Sequence, residues 1–500
     1  MAEIQPKKSF DGGNLDCGNG LLLLIRQNID TLASGDLLEI LSTEKSVRED
    51  LPSWCRLTGN SLVKVHTTDS GFKFWIQKKA QDRPPVASWI SADAQPCKSE
   101  NDSFSAADDP EKKRIFSAPL QAMSVMGVGS WPRPDWLLNG LDLLFRNFID
   151  EQQFSQWAAD AVELAVAAQV RAGVDFVTDG EQRRDAYCSF LGRHIKNCQM
   201  VPLRDLAAMA DHPEDLAKSL DSVDLPMDHT RQPVLTGKLA WESPATVWEL
   251  QTAARFCQKP VKVALPGPYL LSRTLWLDCL PHQPYDSQEQ LAEDVARYLR
   301  AEIQSLLDGG ASLIQLDEPI LTEVVFDGGN VREKFMCGAL SKRRGAVDEL
   351  AFALDLIKEV TRGFPREKIG MHICRGNWSR DESQALSGSY QPLISFLKQT
   401  PVGFLTLEGA TTRAGDVSIL APLCEDHMVG IGMVNQKSTE VESIPELVDR
   451  LWDLRGIFPM ERLFFTPDCG FATFAHQPLA ARFSAEKKLS HLVQAVNRVK

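Results

Sequence analysis

No apolar run in this 500-residue chain reaches the roughly 18 residues that a membrane helix needs. The run Leu21-Leu22-Leu23-Leu24-Ile25 is too short and wrongly flanked for a secretory signal, which gives the cytoplasm as the expected compartment. A dense basic tract is missing too. Lys112-Lys113-Arg114 is short and faces Asp108, Asp109 and Glu111, and the formal net charge is -13 with a pI of about 5.3. That balance argues against nucleic acid and anionic membranes as partners. The eleven cysteines are scattered and odd in number, so they form no disulfide framework and suit thiols and metal ligands instead. What the chain does have is apolar residues, at 43%, enough for large cores in two or more domains.

Residues 1–79 read as a small α/β two-layer sandwich. Apolar residues at helical spacing fill 21–32, Ser34-Gly35-Asp36 makes a turn, and 37–41 reads as a strand. A second helix covers 47–57, and strands 62–67 and 72–76 form a hairpin around Asp69-Ser70-Gly71, with room for another strand ahead of Cys17. Between 80 and 114 the periodic apolar residues give out, and segments such as Arg83-Pro84-Pro85 read as a flexible linker.

From 115 to 500, eight short apolar runs (124–128, 174–178, 261–265, 313–316, 369–373, 402–407, 428–434 and 463–466) alternate with helical stretches such as 154–172, 288–309, 347–362 and 444–456. Eightfold alternation predicts a (β/α)8 TIM barrel, with a doubly wound sheet as the alternative. A barrel keeps its chemistry just after its strands. There the sequence turns polar, at Ser130, Glu181, Asp317-Glu318, His372, Cys374, Glu408, Lys437 and Cys469.

His372 and Cys374 are two residues apart and leave a strand on the same side, so one metal can touch both. If Glu408 and Cys469 end neighbouring strands, the set is two thiolates, an imidazole and a carboxylate, which suits zinc. The plain alternative is a buried cysteine beside a hydrogen-bonded histidine. Glu181, Asp317 and Glu318 follow apolar strands, where a carboxylate is costly unless paired, and so point to a cationic group on a ligand. Salt bridges closing the barrel mouth would satisfy them equally well.

Taken together, these segments resemble the catalytic domain of the cobalamin-independent methionine synthase family over roughly residues 120–480. The resemblance implies that His372, Cys374, Glu408 and Cys469 are zinc ligands. It also implies that Ser130, Glu181 and Asp317 hold an amino-acid thiol, the hydroxyl or nearby amides taking the carboxylate and the acids the ammonium. The implied reaction is methyl transfer to homocysteine from methyl-folate or a corrinoid protein, with zinc holding the substrate as thiolate.

The first domain resembles the TusA-like sulfur-carrier family on Phe10-Asp11-Gly12-Gly13-Asn14-Leu15-Asp16-Cys17, on Glu49-Asp50-Leu51-Pro52-Ser53-Trp54-Cys55 and on Gly59-Asn60-Ser61-Leu62. This implies a reactive Cys17 at the start of the first helix. Gly18 and Gly20 replace the two prolines of that family's motif, so Cys17 reads either as a persulfide carrier or as a relic in a docking module.

Three departures bear on the methyl donor. Full-length family members carry a second barrel ahead of the catalytic one, where this chain has the small domain. The family's folate-stacking tryptophan falls on Leu271-Ser272-Arg273-Thr274, with Trp276 two residues late. The histidine that protonates the leaving group is replaced by Lys437, which joins Asp317 and Cys17 as a catalytic candidate. Two other functions stay open: zinc-dependent alkylation of another thiol or persulfide, as in epoxide-thiol transferases, and a non-enzymatic sulfur relay with a partner protein.

Overall fold

A computed structural model describes residues 5–15, 20–29, 31–58, 60–68, 71–79, 115–203, 205–206, 230–277, 284–326 and 344–500. The expected linker 80–114 and Cys17 lie outside the described residues. The chain splits into two compact units, Met1–Arg114 and Ile115–Lys500. No helix among the described residues is long and apolar enough to cross a membrane.

In the first unit the strands β1 (Lys8–Asp11), β2 (Leu37–Ser42), β3 (Ser61–Thr68) and β4 (Gly71–Gln77) form one sheet in the order β1-β2-β4-β3. β1 and β2 run parallel, as a crossover through a helix requires, and β4 is antiparallel to both neighbours. The crossover is the helix Leu22–Ile29, and a second helix, Val47–Thr58, precedes the β3–β4 hairpin. Burial alternates along β2, so one face carries Leu38 and Ile40 into a core that includes Leu22, Ile25, Leu51, Trp54 and Phe74. The strand left open ahead of Cys17 is β1.

In the second unit six parallel strands lie side by side: β7 (Lys262–Pro266), β8 (Leu313–Asp317), β9 (Ile369–Ile373), β10 (Phe404–Leu407), β11 (Met428–Val434) and β12 (Leu463–Pro467). The first two expected strands are reduced to single parallel bridges. Val125 pairs with Phe465, Met126 with Phe176, and Val177 with Val261, and these three bridges carry the ring from β12 back to β7. Side chains explain the shortening. The Val125 N–H donates to Asp175 Oδ2 (2.7 Å) and the Thr178 N–H to Gln169 Oε1 (3.0 Å), so two ladder donors are taken out of the sheet. Closure excludes the doubly wound alternative and makes this an eight-station barrel.

The helices begin and end where local chemistry allows. Asp150 caps Glu151–Ala172 through the Gln153 N–H, and Gly173 ends it with a left-handed φ of 88°. Ser443 and Glu446 form a capping box on Ile444–Arg455. A two-stranded antiparallel ribbon, β5 (Lys196–Pro202) with β6 (Arg231–Ala240), was not expected from periodicity.

The barrel interior is layered. Met126, Phe176, Leu313, Phe404 and Phe464 plug the bottom, with the last two rings edge to face at 6.0 Å. Gly370 and Gly430 make room for those rings, since a Cβ at either position would come within 2.3 Å of the phenyl group of Phe404 or Phe464. Alternation along the strands puts polar side chains in the layers above.

Candidate metal centre

Strand β9 has only five residues, and period two sorts them cleanly. Met371 and Ile373 join the outer core, while His372, and Cys374 after it, belong to the inward set. At the end of β12, Cys469 reaches the same place. Ligand atoms of His372, Cys374 and Cys469 all lie within 4.8 Å of one another, and all three residues are buried.

The histidine is oriented. Its Nδ1 lies 3.1 Å from Asp317 Oδ1, and because a carboxylate accepts, Nδ1 carries the proton. Its Nε2 is buried and has no hydrogen-bond partner. A buried histidine with one bare ring nitrogen, grouped with two cysteines, is the donor set expected of a soft or borderline cation. The Cys469 thiol donates to Cys374, which pulls the Cys374 thiol down to about 6, while burial holds Cys469 well above the usual thiol range.

Glu408, the fourth expected ligand, ends β10 but lies outside this trio. Its Oε1 accepts from the Arg375 backbone N–H (2.8 Å) and its Oε2 from Arg413 Nη2 (3.0 Å). Burial raises its carboxyl well above the ordinary range, and Asp468 and Cys374 push the same way. Asp468 in turn accepts from the Gly409 and Ala410 N–H groups at 2.8 Å, which ties the β10 and β12 loops together.

Lys437, after β11, is buried with an Nζ that has no hydrogen-bond partner. Burial first, and Arg413 next, lower it to about 8 against the opposing pull of Glu408, Cys374 and Cys469. It therefore sits in the electrostatic neighbourhood of the trio.

Of the expected substrate-binding residues, Ser130 packs against the Cys469 loop. It accepts the Ala472 N–H on Oγ (3.2 Å), and its carbonyl accepts the Phe471 N–H (3.0 Å). Glu181 adopts a left-handed φ of 55°, rare for a residue with a side chain, and its Oε2 is buried without a partner. Burial pushes it up to about 7, Arg184 opposing and Asp317 reinforcing. Glycine at 129 is what admits this carboxylate, because a Cβ there would lie 2.3 Å from Glu181 Oε1. Glu318 has other partners: its two oxygens accept the Tyr269 (2.8 Å) and Leu270 (2.9 Å) N–H groups and cap the helix Pro268–Leu275.

Sequence reading passed over several polar residues of this layer. Arg184 forms a buried fork on Glu249 (2.8 and 2.5 Å), and Asn377 bridges Gln436 to the Gly470 carbonyl. Lys262 and Gln315 lie fully buried beneath Asp317. Period two holds the signal for the last pair, because Gln315 and Asp317 are two apart in an otherwise apolar strand.

Comparison with known proteins agrees with the barrel fold. Residues 123–496 match the family model described as cobalamin-independent synthase, catalytic domain, and residues 20–78 match the sulfurtransferase TusA model. The methionine synthase of Sulfolobus acidocaldarius is 25% identical over 368 residues, 73% of this chain and 89% of its own length. That of Thermococcus kodakarensis is 25% identical over 374 residues, 75% and 92% of the two chains. Among solved structures, a B12-independent methionine synthase from Shewanella sp. W3-18-1 in complex with selenomethionine has the same fold, with a TM-score of 0.56 at 20% identity over 76% of this chain and 98% of that one. A putative vitamin-B12-independent methionine synthase from Listeria monocytogenes gives 0.52 at 19% identity, covering 77% and 99%. By its barrel, its ring of polar strand ends and these matches, the chain belongs to the cobalamin-independent synthase catalytic-domain family, with a TusA unit ahead of that domain in the sequence.

Proposed function

We propose that this protein is a zinc-dependent S-methyltransferase whose acceptor is homocysteine and whose product is methionine. The observation that carries the proposal is the buried trio of His372, Cys374 and Cys469 with the bare His372 Nε2. The relatives named methionine synthase support the choice of substrate. A zinc ion held by these three residues, with Glu408 or the substrate sulfur as a further ligand, supplies thiol activation: it lowers the pKa of the incoming thiol so that the thiolate is held at neutral pH.

The chain's own residues do the rest. Glu181, with its unpartnered Oε2, and Asp317 offer carboxylates to the substrate ammonium, while the Ser130 hydroxyl and the amides beside it suit the substrate carboxylate. Burial strengthens both contacts by excluding water. The sulfur forms its bond to the methyl carbon as the bond to the donor breaks. The electron pair stays with the donor, and in this reading Lys437 Nζ returns a proton to it or holds an anionic group there.

Residues 271–274 are all buried and none is aromatic, and Trp276 packs half-buried against the core, so none of these residues is a fully exposed ring for a pterin. This favours a donor held in another way, with methyl carried by a corrinoid protein ahead of methyl-folate.

The test is zinc content of the purified chain followed by zinc-edge absorption spectroscopy with and without homocysteine. One zinc per chain that gains a sulfur neighbour on adding homocysteine is the expected result. Zinc whose coordination ignores homocysteine, or no zinc at all, refutes the proposal.

A further inference from the structure

Two buried polar residues in the barrel have no part in the chemistry above. Lys262 opens β7 with no exposed surface, and its Nζ donates to Gln315 Oε1 at 2.9 Å. Gln315 Nε2 donates to Asp317 Oδ1 at 2.8 Å and to the Val128 carbonyl at 3.2 Å. Asp317 Oδ1 in turn accepts from His372 Nδ1 at 3.1 Å. The register makes this run possible: Ala264 pairs with Gln315, and Asp317 with His372, so three adjacent strands bring their inward side chains together.

Direction follows from donor chemistry. Lysine has no acceptor as an ammonium, so it selects the oxygen end of the Gln315 amide. The nitrogen end is thereby turned to Asp317, whose carboxylate only accepts and so takes the His372 Nδ1 proton. In the neutral imidazole this leaves Nε2 with its lone pair, which the carboxylate on Nδ1 makes more basic. An apolar side chain at either position would be cheaper to bury than a lysine or an amide. Retaining both beneath the site calls for a reason beyond packing.

We propose that Lys262 and Gln315 are positioning residues that lock His372 in the tautomer that leaves the buried Nε2 free to take a metal. The inference rests on the reading of His372 as a zinc ligand. The two residues touch neither substrate nor metal and act through Asp317.

Three variants test it. Gln315→Glu gives Lys262 an ionic partner but no N–H for Asp317, Gln315→Leu removes both links, and Lys262→Met removes the anchor. Zinc affinity is read by competition with a chelator. The His372 tautomer is read in metal-free protein from nitrogen chemical shifts of 15N-histidine-labelled samples, with His372→Ala to assign the signal. The expected result is zinc binding weakened about 10- to 100-fold in all three, with unchanged stoichiometry and a mixed His372 tautomer. A purely structural lysine predicts instead that Gln315→Glu keeps wild-type zinc affinity and a single Nδ1–H tautomer, and that outcome overturns the inference. If Lys262→Met fails to fold, the two Gln315 variants decide. If wild-type protein binds no zinc, the reading of the metal centre fails, and the tautomer signal still decides this one.

Discussion

The two units of this chain treat buried polarity in opposite ways. In the first, among the described residues, Ser42 is the one buried polar residue, and Cys55 is buried along with apolar residues such as Leu51 and Trp54. The barrel buries Glu181, Arg184, Lys262, Asp317, His372, Glu408, Lys437 and Asp468 around its axis and at its mouth. Desolvating a charge is costly unless it is paired, so a fold that buries so many keeps them for something other than stability. Cysteines show the same contrast. Cys374 accepts from the Cys469 thiol in a group with His372, whose Nε2 is bare.

The contrast can be broken most decisively at the sulfurs. Cys469→Ser is expected to leave less than about a tenth of an equivalent of zinc and to cut methyl transfer by about a thousandfold or more. Retained zinc and activity, measured by metal analysis and methionine formation, would move the centre elsewhere. Next in size is Glu181→Gln, for which KM for homocysteine rises by about 100-fold with a smaller change in kcat.

The pH dependence sharpens the same point. A carboxylate holds an ammonium only when ionised, and burial raises Glu181 to about 7, so with Glu181 in the proposed role kcat/KM of the wild type is expected to fall as pH drops below that value. The Glu181→Gln profile loses this limb, and an unchanged acid limb would assign it to another group. Lys437→Gln is expected to lower kcat by about 10- to 100-fold at constant KM and to abolish the basic limb near its value of about 8.

The smallest effect belongs to the first unit. Cys17→Ser leaves methyl transfer to free homocysteine within about twofold if chemistry resides in the barrel's buried polar layer. A large loss with zinc still bound would instead favour delivery of a thiol or persulfide by that unit.

Much of this was legible in the residues. Ile369 to Ile373 alternates apolar-out with Gly370 and His372 in, and the same period places Gln315 with Asp317, because a strand has only two faces. The shortened strands at 125–126 and 176–177 were not legible. They depend on Asp175 and Gln169 reaching backbone donors that a ladder would otherwise use. Glu318 looked like its neighbour Asp317 in sequence, yet one step along the chain reverses the side-chain direction and sends it to the N-terminus of the helix Pro268–Leu275.

The sequence by itself determined the period of the elements, and with it which residues stand at strand ends, since backbone geometry depends on neighbours a few positions away. Only the tertiary structure decided that residues 372, 374 and 469 meet within 4.8 Å, that Arg375 and Arg413 engage Glu408, and that a lysine lies beneath the site. Those outcomes turn on closing the ring of strands, where residues nearly a hundred positions apart compete for the same buried donors and acceptors.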